Sequence, residues 1–558
     1  MIDSRRLGRW GAVLGPRIPM SYRDPLSLGQ MHALGAEKYG RVPVILQRPL
    51  SVDPQSRLEL DYVELSNLVD ELSGALLKAG VGPWDRLAIV KSSNYDTTLI
   101  AAAAARIGAI PALISPNLAP LGEALAVLLT RLGMPFVFTD QATVDAAGLP
   151  AERWRRLSRG LIGPVEDGMR LEDLYGGPVP PAQPRTGEEP MFITHTGGTT
   201  GVPKMAEQTV AGACHVVNIE ARRTPWAQSA GDTLAAAITW VHGRSIYGTM
   251  ATLSRGTKLI ALSGPDVETV LSMCREHKPT IVESHPNHFM QWEGLCDHPD
   301  EPFGNVRVFF NTFDAAHPRT IRKLLGASRR RAPIYLQAYG MTEVGPVTMR
   351  AYGRRAVERP ANDGASTKSR DLGWPVPFAT RFRIVDPKTH HPLPRGDIGM
   401  IQAKTKARCT GFVDQAQKYW DRRHGGWFDT GDYGRATRMG TLEMLDREVD
   451  HIDGVDSCLA IEDILIDRIA SIGEVVVVPD DEGTPVPMVS THDDEPLDLV
   501  AWKAATRDIP SIGPPLHLLE ADLPRTETFK ARRFLLRERI KTERSNGDAA
   551  EIALRDGA

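Results

Sequence analysis

The amino-acid sequence predicts an α/β protein with a large N-terminal lobe of layered α/β subdomains and a small, mobile α+β C-terminal domain. Candidate strands and helices alternate along most of the chain, which is typical of a parallel sheet because parallel strands need crossover connections. The chain has 558 residues, several times the common single-domain length of ~150 residues, so more than one lobe is expected. After Asp446 the candidate strands shorten and the turns come closer together, which predicts the smaller domain.

Hydrophobic spacing places the first elements. Apolar residues from Leu65 to Leu76 recur at helical intervals, and glycines end this run before a buried strand over 86–90. A second helix, capped by Asn94 or Asp96, is expected to follow. Further strands are expected near 110 and over 136–139, 191–194, 280–283, 306–310 and 334–338.

The same patterns divide the chain into three regions. We expect an N-terminal core over 1–445, a mobile C-terminal domain over 446–540 and a tail over 541–558. The proline-rich stretch over 176–184 is expected to form a surface connection within the core. The tail is assigned because its residues are mostly charged or small.

Charge and apolar content exclude several classes of protein. The 66 Lys and Arg residues nearly balance the 69 Asp and Glu residues, so a net charge of -3 gives no overall field that attracts nucleic acid or an anionic membrane. The longest apolar stretch, 99–114, is interrupted by Arg106 and Pro111, and it is shorter than the ~20 residues that span a bilayer. We therefore expect neither nucleic acid nor a membrane as a partner.

The cysteine pattern indicates a reducing compartment. The five cysteines are an odd number, lie far apart and form no CxxC pair, which argues against a disulfide framework and against a cysteine zinc site. No stretch near the first residue has the apolar length of a signal peptide. The protein is therefore expected to be cytoplasmic.

The segment over 194–204 has the composition of a phosphate-binding loop. It follows an apolar strand and contains three glycines, four threonines and a lysine within eleven residues. Glycines let backbone N–H groups converge on an anion, hydroxyls donate hydrogen bonds, and Lys204 supplies a positive charge. The spacing is not that of a Walker A loop, because Lys204 follows a proline rather than a glycine.

Three further segments carry polar groups in the order that a nucleotide site needs. The segment over 335–343 ends a predicted strand with an aromatic ring, a hydroxyl and a carboxylate. The segment over 426–432 is a tight turn that presents Asp432, and the segment over 523–530 places Lys530 near the carboxyl terminus.

In order and spacing, these four segments resemble the adenylate-forming (AMP-binding) superfamily of acyl-CoA synthetases, aryl-acid ligases and nonribosomal adenylation domains. The resemblance extends over about residues 58–536. It implies an ATP- and Mg2+-dependent ligase that activates a small acid as acyl-AMP, releases pyrophosphate, and transfers the acyl group to the thiol of coenzyme A or of a carrier protein. An aromatic acid is favoured by the rings expected in the pocket.

The resemblance also implies roles for individual residues in ATP binding. The phosphates are expected to be bound by Thr196, Gly197, Gly198, Thr199, Thr200, Gly201 and Lys204. Tyr339 is expected against adenine, with Ala316 in the loop on the adenine side. Glu343 is expected to bind Mg2+, a hard cation that prefers oxygen ligands. Asp432 is expected to accept from the ribose hydroxyls, and Arg447 is expected to contact the ribose or a phosphate.

The remaining assignments concern catalysis and the acid. Lys530 is expected to bridge the acid and the α-phosphate, with Thr342 beside that phosphate. His242 is expected between the acid pocket and the acceptor entrance. Trp240, Tyr247 and Phe313 are expected to line the pocket, and Asp446 is expected to be the hinge about which the C-terminal domain turns.

Two departures from the family pattern concern the acceptor. In the loop that forms part of the thiol tunnel, Asp453 replaces a lysine and Asp456 a glycine, and Thr528 with Phe529 replaces Ser-Gly before the catalytic lysine. Three hypotheses therefore stay open. The acceptor is a thiol, or an amine attacks an activated acid or activated nitrite, as in amide ligases and ATP-dependent diazotases, or the chain is a non-catalytic nucleotide-binding paralogue.

Overall fold

The computed structural model describes residues 17–196, 202–222, 228–313, 316–357, 370–447, 452, 455, 457–509, 512–526 and 530–545. In chain order, the elements up to residue 222 are α1 (Leu28–Tyr39), β1 (Pro43–Leu46), β2 (Glu59–Asp61), α2 (Tyr62–Lys78), β3 (Arg86–Val90), α3 (Asp96–Arg106), β4 (Ile110–Leu113), α4 (Gly122–Arg131), β5 (Phe136–Thr139), α5 (Gln141–Ala147), α6 (Ala151–Leu157), β6 (Gly160–Ile162), α7 (Leu171–Leu174), β7 (Pro190–His195), β8 (Met205–Thr209) and α8 (Val210–Arg222).

The elements from residue 228 to residue 447 are β9 (Thr233–Ala237), α9 (Gly243–Arg255), β10 (Lys258–Leu262), α10 (Val267–His277), β11 (Ile281–Ser284), α11 (Pro286–Gln291), β12 (Val308–Asn311), α12 (Pro318–Ala327), β13 (Ile334–Met341), β14 (Gly345–Tyr352), α13 (Arg354–Val357), β15 (Trp374–Pro375), β16 (Thr380–Val385), β17 (Gly399–Thr405), α14 (Ala416–Trp420), β18 (Arg423–His424), β19 (Trp427–Ala436) and β20 (Leu442–Arg447). They are followed by α15 (Cys458–Arg468), β21 (Ile472–Pro479), β22 (Pro485–Thr491), α16 (Leu499–Ala505), β23 (Leu516–His517) and α17 (Arg533–Ser545).

Two large sheets form most of the N-terminal portion. The nine-stranded sheet has the order β15-β14-β13-β12-β11-β9-β10-β1-β2, and the six-stranded sheet has the order β6-β5-β3-β4-β7-β8. The strands from β13 to β1 in the first sheet and from β6 to β7 in the second are parallel. The predicted α/β class is confirmed, with a large N-terminal portion and a smaller C-terminal domain.

Helices α1, α2, α3 and α9 pack against one another, and their buried residues share one core with strands of both sheets. Helix α3 and strand β4 contain the apolar stretch noted in the sequence, and nearly all of its residues are buried. Helices α1 and α3 approach closely at Gly29, where a Cβ atom would lie 2.3 Å from the backbone nitrogen of Arg106. Among the described residues, no helix is long and apolar enough to cross a lipid bilayer.

Two smaller antiparallel arrangements complete the fold. Strands β16-β17-β19-β18 form a sheet to which β20 adds by pairing with β19, and β21 pairs with β22 in the C-terminal domain, where β23 joins in parallel. Helix α17 extends to Ser545, whereas a tail was expected from residue 541. Leu536 and Ile540 of this helix are buried against β21 and β22.

The expected cap of α3 is wrong. Tyr95 occupies the N-cap position without a side-chain bond, and Asn94 instead accepts from the backbone of its neighbour. The carboxylate of Asp96 is fully buried, with its Oδ1 atom 2.8 Å from Nζ of Lys91. Its Oδ2 atom accepts hydrogen bonds from Ser51 and from the backbone of Val52. Asp96 therefore fastens the loop after β1 to the core.

We predict that Lys91→Met destabilises the protein by about 3–5 kcal/mol, because the change leaves the Asp96 carboxylate buried without its cation. Urea unfolding followed by intrinsic fluorescence measures this loss. The exposed Lys388 offers a matched control, since Lys388→Met is expected to change stability by less than about 0.5 kcal/mol. Equal unfolding midpoints for the two variants would contradict this account of Asp96.

Candidate active site

The site lies where parallel strands of the nine-stranded sheet end. Strands β9, β11, β12 and β13 are neighbours in that sheet, so their carboxyl ends meet at one edge. His242 and His285 lie beyond the ends of β9 and β11, Phe313 follows β12, and Tyr339 lies near the end of β13. Ligands of open α/β sheets bind at such an edge.

A cavity of ≈ 340 Å³ opens at this edge and reaches the C-terminal domain. Predicted residues from all four sequence motifs line it, together with the histidine and two of the aromatic residues assigned to the acid: Thr196, Lys204, His242, Tyr247, Phe313, Tyr339, Thr342, Glu343, Asp432, Arg447 and Lys530. The structure therefore brings together most of the side chains that sequence analysis selected.

The glycine- and threonine-rich segment is the connection of the β7–β8 hairpin. The backbone N–H of Thr196 donates to the carbonyl of Lys204 at 2.8 Å, and the hydroxyl of Thr196 accepts from the backbone of Lys204 at 3.3 Å. These bonds close the base of the connection at the cavity wall. Gly197, Gly198, Thr199, Thr200 and Gly201 lie outside the described residues.

Tyr339 and Asp432 join two sheets at one end of the cavity. The hydroxyl of Tyr339, on β13, donates to Oδ2 of Asp432, on β19, at 2.6 Å. Burial and the adjacent carboxylate raise the pKa of Tyr339 well above its ordinary value. Asp432 lies directly opposite Arg447 in the pairing of β19 with β20. An aromatic ring, a carboxylate and a cation thus meet at a single point.

A second group of charges surrounds Glu343. This carboxylate is 3% exposed, and burial raises its pKa, while Arg422 and Lys204 oppose that shift. The Arg422 Nη1 atom lies 3.9 Å from Glu343 Oε1. Burial, followed by the Arg422 charge, lowers the pKa of Lys204. The backbone carbonyl of Thr342 accepts from the Gln208 side chain at 2.7 Å, which holds the segment before Glu343 in place.

His242 has a defined protonation state. It is the N-cap of α9, and its Nδ1 atom accepts from the backbone N–H of Arg244 at 3.1 Å. The ring proton therefore lies on Nε2. Burial lowers the pKa of His242 to about 3, and the charges of His195 and Lys530 act in the same direction. His242 is therefore a neutral hydrogen-bond donor in the cavity wall.

Aromatic rings form the rest of this wall. The rings of His285 and Phe313 are 3.8 Å apart between centroids and tilted by 35°. His242 lies 5.5 Å from Phe313, and Tyr247 packs edge-on against Phe192 at 5.7 Å. The side-chain oxygen of Asn311 accepts from the backbone of Phe313 at 3.0 Å and fixes the turn after β12.

A buried ion pair lies beside these rings. Nη2 of Arg244 donates to Oε2 of Glu283 at 2.9 Å, and Nε of Arg244 donates to Oε1. The guanidinium is also 5.1 Å from the ring of Phe310. The side chains are 5% and 1% exposed. Arg244 lines the cavity, and Glu283, which does not, holds the guanidinium in place.

The C-terminal domain contributes Lys530 and is held by contacts with α12 and its N-cap. His317 Nδ1 lies 2.7 Å from Asp463 Oδ1, and Arg319 donates to the backbone carbonyls of Ile466 and Ile472. Thr526 and Lys530 bond to each other through the Thr526 hydroxyl and both backbones. In this arrangement Lys530 faces the cavity.

Asp446 is buried rather than exposed. Its carboxylate accepts from the backbone N–H of Cys458 at 3.0 Å, so it bonds to the first turn of α15. Burial raises the pKa of Asp446 to about 7, although these backbone donors oppose the shift. The assignment of Asp446 as a hinge stays a prediction, and so does the domain boundary beside it.

Two assigned residues do not line the described cavity. Trp240 is 2% exposed, packs edge-on against Tyr95 and donates from its indole to the carbonyl of Leu262 at 2.8 Å. Ala316 is 1% exposed and belongs to the core around Phe289. Both lie in the core because their segments turn inward after the strand ends. The four acceptor-side positions noted in the sequence, Asp453, Asp456, Thr528 and Phe529, lie outside the described residues.

Sequence analysis missed Arg244, Glu283 and Arg422. Arg244 follows His242 by two residues, so the motif around His242 was a signal that pointed to it. Glu283 lies within a short, fully buried strand, where a carboxylate needs a partner. Arg422 lies in a turn after α14, and nothing in the local sequence indicates its place beside Glu343.

Comparison with known proteins agrees with this geometry. A model of a family described as AMP-binding enzyme matches residues 36–412. The chain is 37% identical over 529 residues to a 3-amino-2-hydroxy-4-methoxybenzoate diazotase from Streptomyces cremeus, covering 90% of this chain and 93% of that protein. It is 25% identical to a feruloyl-CoA synthase from Amycolatopsis sp, covering 76% and 84%.

A solved structure shares the fold. The anthranilate CoA ligase AuaEII, in complex with anthranoyl-AMP, superposes with a TM-score of 0.78 at 17% identity, covering 94% of this chain and 100% of that chain. The family predicted from the four motifs is confirmed. Both the thiol-acceptor and the diazotase-like hypotheses are compatible with these relatives.

We predict that His242 stays neutral above about pH 5. An ordinary histidine, in contrast, becomes protonated as the pH falls below about 6.5. The sign follows from burial, which disfavours the charged ring. Nitrogen NMR of histidine-labelled protein should show a constant Nε2–H tautomer for this residue, assigned by comparison with His242→Asn. The exposed His391 serves as an assignment control, since its signals should be unchanged in His242→Asn. Protonation of His242 near pH 6.5 would contradict the assigned state.

Proposed function

Because the chain belongs to the AMP-binding enzyme family, we propose that it transfers the adenylyl group of ATP to nitrite and then passes the activated nitrogen to an aromatic amine that carries a carboxylate. Pyrophosphate leaves in the first step and AMP in the second. The product is an aryl diazonium ion. The observation that carries this choice of substrates is the 37% identity to a diazotase of an aminobenzoate over 90% of this chain.

In the first step, a nitrite oxygen attacks the α-phosphorus of ATP, and the bond from that phosphorus to the pyrophosphate oxygen breaks. Negative charge moves toward pyrophosphate, so nearby cations lower the barrier. Lys204, Arg422 and Lys530 supply three such charges at the cavity. Tyr339, Asp432 and Arg447 hold the adenosine, with the Asp432 carboxylate accepting from the ribose hydroxyls.

In the second step, the amine nitrogen attacks the nitrogen of the mixed anhydride. The nitrogen–oxygen bond to AMP breaks, and AMP leaves with the bridging oxygen. The N-nitroso amine rearranges and loses water, which contains the remaining nitrite oxygen and both amine protons. The chain needs no oxidant or reductant for this sequence, because nitrogen keeps the oxidation level that nitrite supplies.

The aromatic wall and the Arg244–Glu283 pair suit such an amine. Phe313 and His242 offer faces for an arene. Arg244 lines the cavity and offers a guanidinium for a ring carboxylate, and Glu283 orients that guanidinium. The Asp453 and Asp456 replacements further support a small acceptor, since they add charge and bulk on the expected thiol path.

Glu343 fits the Mg2+ that family enzymes use with ATP. Its carboxylate is buried, its pKa is raised, and the Arg422 guanidinium beside it is 3.9 Å away. A hard cation that prefers oxygen ligands would relieve this unfavourable burial. When bound, Mg2+ would neutralise phosphate charge, and Glu343 would position it at the phosphates.

A second candidate function is ligation of an aryl acid to the thiol of coenzyme A or of a carrier protein. The same aromatic wall suits an aryl acid, and the feruloyl-CoA synthase relative supports coenzyme A. Incubation with ATP and Mg2+ separates the candidates. AMP release that requires both nitrite and an aminobenzoate, with azo-dye formation after coupling to naphthol, supports the diazotase proposal. AMP release that requires an aryl acid and coenzyme A supports the second candidate.

We predict that Lys530→Ala slows adenylation by about 10²- to 10³-fold, because it removes one preorganised positive charge from the α-phosphate. ATP–pyrophosphate exchange with nitrite measures this step. Lys541→Ala, in the exposed part of α17, is the control and should keep the wild-type rate. An unchanged exchange rate in Lys530→Ala would remove this lysine from the mechanism.

We predict that the double variant Arg244→Met/Glu283→Leu raises KM for an aminobenzoate by about 10- to 100-fold, the value of a charge-assisted hydrogen bond. Both residues are changed so that neither charge is left buried alone. Aniline, which lacks the carboxylate, is the matched substrate and should show an unchanged KM. Equal changes for both amines would show that the pair only supports packing.

A further inference from the structure

Three side chains that can bind a metal converge at the antiparallel sheet, and none of the three lines the cavity. His390 lies in the turn after β16, His424 is in β18, and Asp429 is in β19. One ligand atom from each lies within 4.8 Å of the others. His424 and Asp429 belong to the β18–β19 hairpin and His390 comes from a separate turn, so the complete cluster forms only in the folded sheet.

The distances suit a small cation. Asp429 Oδ2 lies 2.8 Å from His424 Nε2 and 3.8 Å from His390 Nδ1. Ligand atoms of a tetrahedral zinc site are separated by about 3.3 Å, since each lies about 2.0–2.1 Å from the metal. The two observed distances bracket this value, and ion binding requires the stacked rings of His390 and His424 to turn until both nitrogens face the ion.

A second layer of hydrogen bonds orients the carboxylate. Gln402, opposite Asp429 in the β17–β19 pairing, donates from Nε2 to Asp429 Oδ1 at 2.7 Å. Gln402 in turn accepts from Nε of Arg383 at 2.7 Å. Oδ1 is therefore occupied, and Oδ2 points to the two histidines. Metal sites use such outer bonds to fix their ligands.

His390 is held with its ring nitrogen beside the carboxylate. Its backbone has φ 56°, and its N–H donates to the carbonyl of Asp386 at 2.9 Å. Its Nδ1 atom is buried and makes no hydrogen bond with any residue that the structure describes. The rings of His390 and His424 stack at 3.7 Å and 25°. A buried ring nitrogen without a hydrogen-bond partner is unfavourable unless a ligand satisfies it.

We infer that His390, His424 and Asp429 bind a Zn2+ ion, with water completing its coordination. Two imidazoles and one carboxylate are a zinc-type set, whereas Mg2+ and Ca2+ prefer oxygen ligands alone. The histidine side chains are 32% and 28% exposed, so water reaches the open position. The ion links the turn after β16 to β19, the strand that also carries Asp432.

Equilibrium dialysis of the full-length, tag-free protein against Zn2+, followed by elemental analysis, tests this inference. We expect one equivalent in the wild type, and at least about 10-fold weaker binding in each of His390→Ala, His424→Ala and Asp429→Asn. His391→Ala removes a neighbouring exposed histidine outside the cluster and should bind like the wild type. Circular dichroism establishes that each variant is folded.

Co2+ substitution gives an independent spectroscopic readout that does not depend on measuring the number of bound Zn2+ ions. A tetrahedral nitrogen and oxygen site should give visible absorption in the wild type and His391→Ala, and this band should be lost in His424→Ala. Gln402→Leu keeps all three ligands and should weaken binding by about 10- to 100-fold. Absence of stoichiometric Zn2+ in the wild type, or equal binding in His391→Ala and His424→Ala, would overturn the inference.

Discussion

The alignment of four parallel strands is the constraint on which the rest of the site depends. Because β9, β11, β12 and β13 run in the same direction, the residues that follow them meet at one edge of the sheet. The Tyr339–Asp432 hydrogen bond then ties this edge to the antiparallel sheet. The cavity is therefore built from chain segments that are distant in sequence, and neither sheet alone contains a complete set of charges.

Burial strengthens the electrostatic interactions of these charged groups. Glu343 is nearly inaccessible, and its pKa is raised, while Lys204 and Arg422 lie close enough to oppose that shift. This cluster of one carboxylate and two cations lies in a cavity wall of low dielectric constant, so it interacts strongly with a bound phosphate chain. His242 is different, because burial keeps its ring neutral. The cavity thus combines charged groups around Glu343 with a neutral aromatic wall.

Local patterns were sufficient for the buried parallel strands and for the nucleotide motifs. The segments at 86–90 and 136–139 are continuous apolar runs, and both are strands in the structure. The roles of polar residues between such strands were harder to predict from the sequence. Asp96 resembled a helix cap, but its burial beside Lys91 makes it an anchor for a distant loop.

Trp240 shows the same limitation, since sequence gives the composition of a segment and not the direction of each side chain. The antiparallel strands β16 to β20 are half-exposed in places, so their apolar signal is weak. Arg422, His390 and His424 lie in or beside short turns and strands of that region. The contact of His424 with Asp429 follows from the short β18–β19 hairpin, whereas those of His390 and Arg422 join segments that are distant in sequence.

The fate of oxygen tests the central claim most directly. With nitrite labelled with 18O, ATP and an aminobenzoate, the account predicts AMP that contains one 18O atom, because AMP leaves with the oxygen that attacked the α-phosphorus. Labelled carboxylate should leave AMP unlabelled. Unlabelled AMP from labelled nitrite would contradict nitrite activation, and label that passes from the carboxylate to AMP would assign the activated group to an aryl acid instead.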